Sequence, residues 1–135
     1  MSLEITSTER EGVTIVHMKG RLTVGEASAP REKVNELVAA GKVNIIFDLA
    51  GVDYIDSTGL GGLVICFTSI KKAGGALKLL KLNKRNIELL VLTKLHTIFE
   101  VFSEEQDAVN SYFPDREIKH FDILDFVREH QEKDE

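Results

Sequence analysis

Residues 43–75 read VNIIFDLAGVDYIDSTGLGGLVICFTSIKKAGG, and the reading of this stretch decides the fold. Its opening, VNIIFDL, is a nearly continuous apolar run, the pattern of a parallel strand buried on both faces. Its end carries Leu60, Leu63, Phe67 and Ile70 on one helical face. Lys71 and Lys72 then suit the negative end of a helix dipole, and Gly74 or Gly75 a left-handed cap. Between the two, the strand is expected to end at Asp48 or Leu49, a loop to cross the sheet edge, and Ser57 to fall at the N-cap of the helix. That helix spends Gly59, Gly61 and Gly62 on its first turns, where each Gly costs about 1 kcal/mol relative to Ala. Either the glycines clear the approach to Ser57, or they let the helix pack closely on its own sheet. Clearance is the expectation, because close packing accounts for one glycine more easily than for three.

Outward from this unit the pattern alternates. LEITSTEREGVTIVHMKGRL predicts a hairpin turning at Glu11-Gly12. Ala27, Val34, Leu37 and Val38 predict a helix from Glu26, with Pro30 in its first turn and Gly41 as its stop. Downstream, ALKLLKL predicts a strand, NKRNIELLVLTKL a helix capped by Asn83, HTIFEVF a short strand, and SEEQDAVNSYF a helix capped by Ser103. After Pro114, Ile118, Phe121, Leu124 and Phe126 or Val127 lie at helical spacing, ahead of a charged tail. The fold class is therefore α/β: one domain over residues 1–114 with a mixed sheet of four to five strands and helices mainly on one side, then a helical extension over 115–135. The apolar stripe of the extension is expected to patch the domain's own core edge; the alternative is a homodimer or partner surface.

The 135 residues include 22 acidic and 17 basic side chains, a formal net charge of −5, and the basic ones are scattered. Nothing here suits a nucleic-acid partner, and a basic protein partner fits better. One cysteine, Cys66, precludes an internal disulfide and fits the cytoplasm. No run approaches the roughly 18 to 20 apolar residues of a membrane span, and MSLEITSTEREG lacks the features of a signal peptide. His17, His96, His120 and His130 lack metal-ligand spacing. YIDSTGLGG is not a G-x-S-x-G elbow, and no phosphate-binding G-x-x-x-x-G-K-[ST] occurs. No catalytic residue, metal or cofactor is expected. Cys66 reads as a small buried residue, and Tyr54 and Ile55 as a partly exposed apolar rim beside Ser57.

GVDYIDSTGLGGLV, followed by GGALKLLKLNKRNIELLVLTKLHTIFEVFSEEQDAV, resembles the stand-alone anti-sigma factor antagonists of the STAS family, whose signature D-S-[ST]-G-L-G is met by DSTGLG. The resemblance runs from Ile5 to Phe113. It implies a non-enzymatic switch. Ser57 would be phosphorylated by an anti-sigma factor that is also a serine kinase, the bare form would bind that partner and free a sigma factor, and a serine phosphatase would reset it. Phosphorylation adds roughly −1.5 to −2 charge beside Asp56, enough to repel a close-fitting partner. The implied partner surface comprises Asp56, Ser57, Thr58, Gly59, Gly61 and Gly62, with Ile65 and Ser69 off the core face and Leu60 as a core anchor. One departure is visible: where the family often reads G-x-L-D, this chain has GRLT, so Thr23 stands at the acidic position and Glu26 would supply the charge from three residues along. The alternative role is a non-switching STAS scaffold module in a signalling or transporter-associated complex, with Ser57 serving only as a cap.

Overall fold

Glu11 and Gly12 both take positive φ, 54° and 83°, the requirement of a tight type I′ hairpin turn. The first two strands, β1 (Glu4–Arg10) and β2 (Val13–Leu22), accordingly pair antiparallel. The structure, a computed structural model, describes residues 3–134. Three further strands join in parallel, β3 (Asn44–Ile55), β4 (Ala76–Leu80) and β5 (Val101–Phe102), to give one five-stranded sheet in the order β1-β2-β3-β4-β5. The helices are α1 (Ser28–Ala39), α2 (Ser57–Lys72), α3 (Lys84–Leu92), α4 (Glu105–Asn110) and α5 (Ile123–Asp134).

Alternation along β3 divides the interior. Ile45, Phe47 and Leu49 join the larger core, with Val34 and Leu37 of α1, Leu63 and Ile70 of α2, Ile87 and Leu90 of α3 and Val127 of α5. Ile46 faces the other way and joins Val13, Ile15, Leu80 and Phe102 beneath Ala108 and Val109 of α4. Four helices thus cover one face of the sheet. The other face is covered by α4 and the segment that follows it, where Tyr112, Phe113 and Ile118 pack.

Five sequence expectations are corrected. β3 does not stop at Asp48 or Leu49 but runs to Ile55, because a bulge renews it: the register with β2 shifts between His17 and Lys19, and Asp48 Oδ1 accepts the Ala50 N–H at 3.1 Å. This shift and a second one between Gly20 and Arg21 return Val52 and Ile55 to the core face, so Ile55 is buried rather than part of an exposed rim. HTIFEVF contributes only Val101 and Phe102 as strand, since Lys94 enters the left-handed region at φ 63° and Leu95–Thr97 forms a 3-10 turn. α4 starts after Glu104 with no side-chain cap, so Ser103 does not cap it. In the extension the helix begins only at Ile123, where Asp122 Oδ1 accepts the Asp125 N–H at 2.9 Å.

The extension packs on its own domain, as expected: Val127 is buried, and Phe121, Ile123 and Phe126 lie against the larger core with α5 on α3. Gly74, at φ 89°, takes the left-handed position after α2.

On the thinner side, the Tyr112 hydroxyl proton is shared between the carbonyls of Ile45 and Ala76, at 2.6 and 2.8 Å, and burial pushes the phenol pKa well up. Replacing Tyr112 with Phe strands these acceptors and is expected to cost about 1–2 kcal/mol in chemical denaturation. Burial likewise lifts the Cys66 thiol from 9.0 to about 12. A thiol so raised is protonated at neutral pH, so Cys66 is expected to resist a colourimetric disulfide reagent in the native protein and to react within the mixing time in denaturant.

Candidate functional site

Asp56 links β3 to α2. Its backbone is extended (φ −97°, ψ −178°), its Oδ1 accepts the Gly59 N–H at 2.8 Å, and its Oδ2 accepts the Val24 N–H at 3.2 Å. Asp56, not Ser57, is therefore the N-cap. The register moves by one because the capping oxygen must reach the amide three residues on, and from Asp56 that amide is Gly59. Both carboxylate oxygens are occupied by backbone donors, one from the helix and one from the β2–α1 loop.

Ser57 becomes the first residue of α2. It is exposed, and its hydroxyl makes no hydrogen bond among the described residues. The amides of Ser57 and Thr58, at the head of a 16-residue helix, have no intrahelical acceptor, so the local field favours an anion.

The three glycines have different reasons. A Cβ on Gly59 would lie 2.0 Å from the Leu22 carbonyl oxygen, and one on Gly62 would lie 3.1 Å from the Ala27 carbonyl oxygen. Both residues are buried, Gly59 against the end of β2 and Gly62 against the entry to α1. Clearance around Ser57 therefore rests on Gly61 alone, where a Cβ would meet nothing within 4 Å. Gly59 lets α2 approach the end of β2 and Gly62 lets it approach α1, while Gly62 also lines the groove between the two helices.

Gly61 opens onto a groove of about 430 Å³ between α1 and α2, lined also by Val24, Arg31, Thr58 and Ile65. Val24 and Ile65 are exposed apolar side chains, at 74% and 44%. At the groove's entrance the Thr23 hydroxyl donates to Glu26 Oε2 at 3.0 Å, so a carboxylate does stand beside Thr23. Ser69, on the same helix, is half-buried and not part of the groove lining.

Sequence reading missed the support behind the loop. Asn83 Nδ2 donates to the Asp53 carbonyl at 3.0 Å, Asn86 Nδ2 to Val52 at 3.1 Å, and Arg85 Nη1 to Ile55 at 2.9 Å. The fully buried Asn86 and the Arg85 guanidinium, stacked 3.8 Å from the Tyr54 ring centroid, thus hold the strand end that delivers Asp56 and Ser57. Arg21 covers the same ring at 4.7 Å. The available signal was NKRN, a polar cluster directly after a strand, which reads at first only as a helix start. Also off the predicted site, His17 Nδ1 donates to Asp48 Oδ2 at 2.7 Å, and its Nε2 lies in hydrogen-bond contact with the Thr8 hydroxyl at 2.9 Å.

Residues 4–108 match the STAS domain family. The chain is 34% identical over 109 residues to the anti-sigma-B factor antagonist of Bacillus subtilis, covering 81% of this chain and 99% of the relative. It is 26% identical over 110 residues to the anti-sigma F factor antagonist of Paenibacillus polymyxa, covering 81% and 94%. A crystal structure of a candidate anti-sigma factor antagonist from Thermotoga maritima superposes with a TM-score of 0.75 at 26% identity, covering 79% of this chain and 92% of that one. The Bacillus protein SpoIIAA in its phosphorylated form shares the fold, with a TM-score of 0.63 at 16% identity over 81% of this chain and 99% of that one.

The two kinds of glycine separate experimentally. Gly59→Ala drives a methyl into the Leu22 carbonyl and is expected to cost about 3 kcal/mol, whereas Gly61→Ala is expected to be neutral or to stabilise by up to about 1 kcal/mol. Urea denaturation of the two variants beside the parent chain measures both.

Proposed function

The chain belongs to the STAS domain family, and on that premise we propose that it is a phosphorylation-switched antagonist of an anti-sigma factor in the bacterial cytoplasm. The observation that carries this reading is the state of Ser57: exposed, its hydroxyl without a hydrogen bond among the described residues, and one residue past a cap whose carboxylate is fully engaged elsewhere. Its hydroxyl is spare for the fold. It can change chemically without removing a structural contact.

In the bare form, a partner of the anti-sigma factor kind docks over Ser57 and Thr58 and along the groove. Val24 and Ile65 supply apolar contact there, Arg31 supplies charge, and Gly61 admits the partner close to the backbone. In the switching step the partner, acting as a serine kinase, transfers the γ-phosphoryl group of ATP to Ser57 Oγ. ADP leaves, and the hydroxyl proton passes to a base on the kinase. The helix start tolerates the new dianion, because unpaired amides and the positive end of the dipole lie beneath it. The interface does not, since Asp56 already places a negative charge there and docking would strip water from the phosphate. Glu26, held by Thr23, takes the place of the acidic residue usual in the family pattern. A serine phosphatase restores the bare form.

The test is incubation with ATP and the kinase-type anti-sigma factor of the same genome, followed by intact-mass spectrometry and site mapping. One phosphate on Ser57 and none on Thr58 is expected. Ser57→Asp is expected to keep the melting temperature of the parent and to bind that partner at least about tenfold more weakly than Ser57→Ala, roughly 1.4 kcal/mol. Equal binding by the two variants would sink the electrostatic mechanism. Stable binding with no phosphate transfer would instead identify a non-switching scaffold.

A further inference from the structure

A second site lies where the domain meets its extension, away from Ser57. The carboxyl ends of β4 and β5 open into a cavity of about 260 Å³. Its apolar walls include Leu82, Ile87 and Phe102 from the domain and Phe121 and Phe126 from the extension. Lys81 and Ser103 supply the polar lining, and Lys81 is the one charged group in it among the described residues. Asp122, Asp125 and Glu129 line an adjoining groove instead.

Three features point to a ligand. In open α/β sheets small molecules bind outside the carboxyl ends of the strands where the strand order reverses; this cavity lies at that edge beside β4 and β5, although the order β1-β2-β3-β4-β5 does not reverse there. Lys81 sits in the left-handed region at φ 59°, a conformation that costs a non-glycine residue of order 1 kcal/mol, pinned by its N–H to the Phe102 carbonyl at 2.8 Å. Finally, the Lys81 ammonium has no ion pair or hydrogen bond among the described residues, although it borders an otherwise apolar cavity.

We propose that this cavity binds a small amphiphilic carboxylate, with its hydrocarbon part between Phe102, Phe121 and Phe126 and its carboxylate on the Lys81 ammonium. The volume suits a medium-length hydrocarbon chain and is too small for a nucleotide. The single cation selects an anionic head. Because Phe121 and Phe126 belong to the extension, the ligand bridges α5 to the sheet and holds the extension in place.

The test is titration of the full, uniformly ¹⁵N-labelled chain with sodium octanoate, followed by amide chemical shifts. Saturable shifts at Lys81, Leu82, Phe102, Ser103, Phe121 and Phe126 are expected. Lys81→Gln is expected to weaken octanoate binding about fivefold, the loss of one partly exposed charge-assisted contact, while Lys71→Gln leaves it unchanged. Octan-1-ol, with no charge, is expected to bind the parent and Lys81→Gln alike. Because Lys81 and Lys71 are both exposed, the variants keep the fold. Absence of saturable shifts at millimolar octanoate, shifts spread over the whole surface, or equal octanoate affinity for the parent and Lys81→Gln would overturn the proposal.

Discussion

The structure around Ser57 depends on one carboxylate with two obligations. Asp56 caps α2 through one oxygen and holds the β2–α1 loop through the other, so the helix start and the neighbouring loop share a single fixed point. The close approach this requires is possible only because Gly59 has no side chain to strike the Leu22 carbonyl. Behind them, Asn83, Arg85 and Asn86 fasten the end of β3 from the side of α3. A serine that owes nothing to the fold is thereby held rigidly at the surface. That combination, a fixed position with an unengaged hydroxyl, is what a modification site needs.

Much of this was legible in the sequence where the physics is local. The apolar run of VNIIFDL, the helical spacing of Leu60, Leu63, Phe67 and Ile70, and the Glu11-Gly12 turn all depend on residues a few positions apart. What escaped was non-local. The bulge that prolongs β3 arises from its register with β2, and what crowds Gly59 and Gly62 comes from Leu22 and Ala27, more than thirty positions away. Nothing in STGLGG distinguishes those two from Gly61. The cap was misplaced by one residue because Asp and Ser are equally good caps, and only the geometry of the chain entering the helix separates them.

The sheet is unequally dressed, and this matters for the extension. One face carries three helices of the family-matched region and gains α5 over α3, while the other has only α4 and the Tyr112–Ile118 stretch. Arg10 ties the thin side to Glu105 and Gln106, and Arg116 joins Glu11 at 2.7 Å, which holds the Glu11 carboxyl below its ordinary range. That pair is most favourable above the ordinary pKa of a glutamate and is lost as the pH falls through the lowered one. The seam with α5, by contrast, is lined by aromatic side chains around a cavity.

The double duty of Asp56 also has a consequence for motion. Because the Val24 and Gly59 amides share one acceptor group, fraying of the first turn of α2 and lifting of the β2–α1 loop are not separate events: each removes the anchor of the other. The two segments are thus coupled through one acceptor group despite their distance in the chain, and their amides are expected to exchange with solvent through a common fluctuation. A group attached at Ser57 therefore acts on that shared fluctuation, and its influence extends to the loop at the far side of the groove.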